Sequence, residues 1–82
     1  MKVSLKIYDV GISEDLKQHV FELPEGSTME ALAYECADLE ALPYTRNDIV
    51  GYTFLVNNSP APLSKVLSDG DSAILLKPME GG

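Results

Sequence analysis

The first nine residues alternate. Val3, Leu5 and Ile7 fall on one side and Lys2, Ser4, Lys6 and Tyr8 on the other, which is the two-residue period of a strand with one buried face. Val10 to Asp15 mixes Gly, Ser and Asp and predicts a hairpin connection longer than a tight two-residue turn. Alternation resumes over Leu16 to Leu23, with His19, Phe21 and Leu23 sharing a face, so a second strand is expected to pair antiparallel with the first. Pro24-Glu25-Gly26 interrupts it. Ser27 followed by Glu30 has the form of a capping box, and Met29, Leu32, Ala33, Cys36 and Leu39 recur at steps of three and four. Together they predict a helix from Thr28 to about Leu42 with one apolar stripe turned to the sheet and its acidic residues turned to water.

Beyond Pro43 the pattern loosens. Tyr44 to Gly51 reads as a loop with one helical turn at Asn47 to Val50. Tyr52 to Asn57 is dense in β-branched and aromatic residues and predicts a third strand. The two prolines of Asn58-Ser59-Pro60-Ala61-Pro62 exclude a central strand there. Leu63 to Leu67 reads as a short edge strand or a helical turn, and Ser68-Asp69-Gly70-Asp71 as a turn with glycine where φ is positive. Ser72 to Lys77 is the last strand. Strand, strand, helix, strand, short element, strand describes a two-layer α+β domain with one helix across one sheet face. If Ala73 and Leu75 face the core, Ile74 and Leu76 emerge on the opposite face, where Leu55, Pro60 and Tyr8 can join them in an apolar docking patch. Scattered surface apolar residues are the ordinary alternative.

Composition narrows the partners. The chain has 82 residues, enough for one domain with a modest core, and its 45% apolar content is that of a folded protein. Six Lys and Arg against 13 Asp and Glu leave a net charge of -7, which argues against nucleic acid and for a basic protein surface as partner. No apolar run reaches the length of a membrane span and the start lacks a signal-peptide core, so a cytoplasmic protein without a membrane partner is expected. Cys36 has no second cysteine to pair with and lies in the helix stripe, so it reads as a packing thiol. His19 stands without the converging groups that a base or a metal site needs, and no metal site is expected. Gly81 and Gly82 leave the terminal carboxylate with no side chain within two residues, able to enter a narrow site. An inert frayed end is the ordinary reading of such a pair.

The order of elements, the Val56-Asn57-Asn58 turn, Leu67-Ser68-Asp69-Gly70-Asp71 leading into an apolar strand and the final Pro78-Met79-Glu80-Gly81-Gly82 resemble, over the whole chain, the ubiquitin-like β-grasp sulfur carriers of the MoaD/ThiS family. The extended 44–51 segment is most similar to the MoaD branch, the small subunits of molybdopterin synthase. The resemblance implies a mixed four- to five-stranded sheet with one main helix, a domain over 1–78 and a flexible tail over 79–82. It implies that an E1-like adenylyltransferase (MoeB/ThiF-like) uses ATP to adenylate Gly82. Sulfur from a persulfide sulfurtransferase or cysteine desulfurase then replaces AMP, leaving a thiocarboxylate. The acceptor would be a MoaE-like large subunit making molybdopterin, or a ThiG-like enzyme making the thiamin thiazole. Gly81 would let the tail thread, while Leu76, Ile74, Leu55, Pro60, Tyr8 and Met79 would meet the partner. Such a carrier is not an enzyme on its own and binds no stable cofactor. The chain departs from the family in having Lys77 before Pro78, Asn58 in place of a turn glycine, and Glu80 beside the glycines. Two other readings stand beside it: a ubiquitin-like modifier joined to a target lysine, and a β-grasp interaction module with a dispensable tail.

Overall fold

The computed structural model describes residues 1–78, so the expectations placed on Met79, Gly81 and Gly82 lie outside the described residues. The alternation at the start becomes β1, Lys2–Tyr8, with Val3, Leu5 and Ile7 buried and the residues between them exposed. A 3-10 turn at Glu14–Leu16 leads into β2, Gln18–Glu22, antiparallel to β1 with Leu5 opposite His19 and Val3 opposite Phe21. β2 begins two residues later than its pattern suggests. The Lys17 N–H closes the 3-10 turn on the Glu14 carbonyl, so Leu16 and Lys17 belong to the turn.

The remaining elements are α1, Met29–Ala37; α2, Arg46–Ile49; β3, Thr53–Val56; β4, Ser59–Pro60; and β5, Ser72–Leu76. The strands form one sheet in the order β2-β1-β5-β3-β4. β5 lies in the middle, parallel to β1 and antiparallel to β3. A parallel neighbour needs a long crossover, and the chain from β2 to β5, including α1, supplies it. α1 buries Met29, Leu32, Ala33 and Cys36 in one core with Val3, Leu5 and Ile7 of β1, Phe54 and Val56 of β3, and Ala73 and Leu75 of β5. The other face of the sheet is left open.

Both ends of α1 differ from the sequence expectation. The N-cap is Thr28, whose Oγ1 accepts from the Ala31 N–H, while Ser27 donates its hydroxyl to the Pro24 carbonyl at 2.7 Å. No capping box is needed, because the 63–67 segment occupies the free donors of the first turn. Met29 N–H donates to the Lys65 carbonyl at 2.8 Å and Glu30 N–H to the Leu63 carbonyl at 2.9 Å, beside a bridge between Thr28 and Val66. At the other end, α1 stops at Ala37 instead of Leu42. Asp38 turns its carboxylate to the Arg46 guanidinium with two bonds of 3.0 and 2.6 Å. Leu39 is half-buried beyond the helix, and Leu42 and Tyr44 enter the core. Thr28→Ala is expected to lower unfolding free energy by about 0.5–1 kcal/mol and Ser27→Ala by less, measured by denaturant titration. Equal losses would contradict this assignment of the cap.

Asn57 and Asn58 make the two-residue turn between β3 and β4, both at positive φ, 50° and 69°. Asparagine tolerates the left-handed region, so Asn58 fills the position where a glycine is otherwise favoured. Asn57 is also tied across the sheet, donating from Nδ2 to Asp71 Oδ1 at 3.0 Å and accepting from the Ser72 N–H at 3.0 Å. Pro60 sits at the sheet edge, where a missing N–H leaves no ladder bond unmade.

Candidate functional site

β5 carries the chain through the centre of the sheet and out at its end, where Leu76 pairs with Tyr8 and the Lys77 N–H reaches the Tyr8 carbonyl at 3.3 Å. The residues at this exit are therefore set by β1 and β5 together. With Ala73 and Leu75 buried, strand alternation puts Ile74 and Leu76 on the open face. The register then decides their neighbours. One row across the sheet reads Gln18, Lys6, Ile74, Leu55, Pro60, and the next reads Tyr8, Leu76, Thr53. The five apolar residues singled out from the sequence thus lie side by side, with Tyr8 47% exposed and Ile74, Leu76 and Leu55 half-buried. Lys6 lies over the Tyr8 ring at 5.2 Å and adds a cation to the patch border.

Beneath the exit lies a polar cluster that the sequence did not suggest. Asp9, the residue after β1, is the one buried charged side chain among the described residues. Its Oδ2 accepts from the buried Tyr44 hydroxyl at 2.6 Å and its Oδ1 from the Gly11 N–H at 2.8 Å. Lys77 Nζ lies 3.8 Å from Oδ2. Burial pushes the carboxyl up, but the bonds from Tyr44 and Gly11 and the charges of Lys77 and Lys17 outweigh it, and Asp9 titrates below the usual carboxylate range. Tyr44 moves the other way. Burial and the hydrogen bond to Asp9 hold its hydroxyl well above the ordinary tyrosine value. The Asp-Val-Gly sequence was a signal for the local turn, but Tyr44 is 35 residues away and only the fold brings it in.

Cys36 is fully buried, and burial pushes its thiol up to about 12. A thiol held protonated is a poor nucleophile. In the native protein Cys36 is expected to resist an alkylating reagent at pH 8 and to react at the rate of a free thiol once denaturant is added; fast labelling of folded protein would contradict its placement. His19 donates from Nε2 to the Leu16 carbonyl and lies beside Phe21 with ring centroids 6.0 Å apart, so it closes the hairpin. Among the described residues no group of three His, Cys, Asp or Glu is arranged to hold a metal ion, and no helix is long and apolar enough to cross a membrane.

No protein-family model matches the chain, and no curated protein matches it by sequence. Solved structures do resemble it. A putative molybdopterin converting factor, subunit 1, from Pyrococcus furiosus superposes with a TM-score of 0.67 at 19% identity, over 95% of this chain and 98% of that one. The complex of subunits 1 and 2 of the molybdopterin-converting factor from Helicobacter pylori includes a chain that superposes with a TM-score of 0.63 at 20% identity, over all of both chains. The small archaeal modifier protein 1 of H. volcanii gives 0.59 at 17% identity, over 95% and 98%. The fold is the ubiquitin-like β-grasp, an α+β domain with a five-stranded mixed sheet and one main helix.

Proposed function

We propose that this protein is a sulfur carrier whose reactive group is the Gly82 carboxylate, with molybdopterin synthesis as the leading pathway. The observation that carries the reading is the placement of β5. An inner strand, locked on both sides, delivers the chain at a fixed point beside the apolar patch of Ile74, Leu55 and Pro60 in one row and Leu76 in the next, and the sequence runs on from there to Gly81-Gly82. A partner that grips the open face has the end of the chain within reach of its own pocket. The H. pylori structure, a complex of subunits 1 and 2 of the molybdopterin-converting factor, supports a synthase partner for this chain as well.

The carboxylate is a poor electrophile. An E1-like adenylyltransferase (MoeB/ThiF-like) joins it to the α-phosphate of ATP, releasing pyrophosphate and making a mixed anhydride with AMP as leaving group. The terminal sulfur of a persulfide on a sulfurtransferase or cysteine desulfurase attacks the carbonyl and displaces AMP, making an acyl persulfide, and a thiol then cleaves the S–S bond that the persulfide brought, leaving the thiocarboxylate and a disulfide. The chain itself supplies no acid, base or bound cofactor; it positions the end residue. The reaction takes place in the cytoplasm.

Intact mass after incubation with ATP, a persulfide source and the activating enzyme tests the reading. The expected result is a gain equal to one oxygen replaced by sulfur, lost when Gly82 is deleted. An unchanged mass on folded protein would overturn it in favour of an interaction module. The archaeal neighbour described as a modifier protein favours a second use of the same adenylate, an isopeptide bond to a lysine. Conjugates that vanish with Gly82 would support that use.

A further inference from the structure

The cluster under the exit of β5 has a property that packing alone does not require. Burying a carboxylate is costly unless it is paired and hydrogen-bonded, and here three separate parts of the chain converge to satisfy one. Gly11 belongs to the hairpin after β1, Tyr44 to the segment before α2, and Lys77 to the first residue past β5. The fit is close, since a Cβ at Gly11 would lie 3.1 Å from Asp9 Oδ1. Tyr44 and Gly11 are neutral donors that hold both carboxylate oxygens in place. Lys77 is the one partner that belongs to the outgoing chain. Its side chain borders a groove lined also by Tyr8, Val10, Lys17 and Pro78.

We propose that Asp9, fixed by Tyr44 and Gly11, is a positioning residue that holds Lys77 and thereby sets the direction in which the chain leaves the sheet. The inference deepens the carrier reading and rests on it for its role in the reaction. The anchor is rigid because it is buried, and a buried charge attracts its partner with less screening than a surface one. Gly82 is five positions beyond Lys77, so the contact at Lys77 fixes the point from which the end of the chain departs. Positioning of this kind acts on the rate of the chemical step, whereas the open-face patch acts on binding.

The groups that face Asp9 are Tyr44, Lys77 and Lys17, the last with its Nζ 2.9 Å from Glu14. The test uses the full chain with Lys77→Gln, which removes the cation, and Lys77→Arg, which keeps it. In nuclear magnetic resonance titrations the Gly11 amide reports the Asp9 carboxyl directly in every variant. The resonances at the end of the residue-77 side chain are expected to follow that titration in the wild type and Lys77→Arg, and to lose the response in Lys77→Gln. With the activating enzyme, Lys77→Gln is expected to lower kcat for adenylation at least fivefold at unchanged KM, and Lys77→Arg to restore it. The proposal is overturned if the Lys77 side-chain end ignores Asp9 in the wild type, if Lys77→Gln leaves the response intact, or if kcat is unchanged. If the wild type itself is never adenylated, the carrier reading and with it the role in the reaction fall, while the titration still decides whether Asp9 holds the exit.

Discussion

Leu75→Ala is expected to cost about 3 kcal/mol or more, against about 1 kcal/mol for Leu76→Ala, one residue along the same strand. Leu75 is fully buried, with Ile7 and Phe54 as its register partners on β1 and β3. Truncation leaves a cavity in the middle of the sheet, where strands on both sides prevent collapse. For 82 residues the whole unfolding free energy is of the order of 4–12 kcal/mol, so a large share is lost. The midpoint of thermal unfolding should fall by about 12 °C or more. Leu75→Met, which conserves volume, should lose less than about 1.5 kcal/mol. A larger cost at 76 than at 75 would mean that the register of β5 is wrong, since a slip of one residue exchanges the two faces.

Ile74→Glu is expected to weaken binding to the activating enzyme by about 30-fold, the factor that corresponds to a 2 kcal/mol anchor residue. Ile74 sits between Lys6 and Leu55 in the row that crosses all five strands. A carboxylate there would have to be desolvated against the partner's apolar surface. The fold should survive, because the substitution points away from Ala73 and Leu75. Val20→Glu is the control. Val20 is 68% exposed and on the same sheet face, but it lies on β2, opposite Ser4 and two strands from Ile74, at the other side of the groove that both line. Isothermal titration with each variant decides the matter. If Ile74→Glu binds like the wild type, the patch is not the docking surface; if Val20→Glu binds as weakly as Ile74→Glu, added negative charge and not the patch explains the loss.

These two predictions differ in what made them legible. The split between Leu75 and Leu76 follows from alternation alone, a local rule set by the geometry of an extended chain. The same rule made the buried and exposed faces of β1 readable, though the strand is one residue shorter at each end than the nine residues that alternate. It also sent Ile74 and Leu76 to one face before any partner was known. Periodicity likewise marked the stripe of α1, and Gly70 at φ 84° stands where the turn chemistry called for it. The limits of α1 were less legible. Ser27 and Thr28 are adjacent hydroxyl residues of similar capping strength, and the choice between them came from the 63–67 segment, which bonds the first turn from over thirty residues away. The run from Asp38 to Leu42 has good intrinsic helix propensity, yet the Asp38–Arg46 pair and the burial of Leu42 and Tyr44 outweigh it.

The sequence by itself determined the order of the main elements and the faces they bury, because each depends on residues within a few positions of one another. Tertiary structure decided the strand order that puts β5 between β1 and β3, the row that gathers Lys6, Ile74, Leu55 and Pro60, and the joining of Asp9 to Tyr44 and Lys77. These are contacts between residues far apart in the chain. They exist only once burial of the apolar faces has offset the entropy of bringing the segments together, and no local pattern encodes which segments will meet.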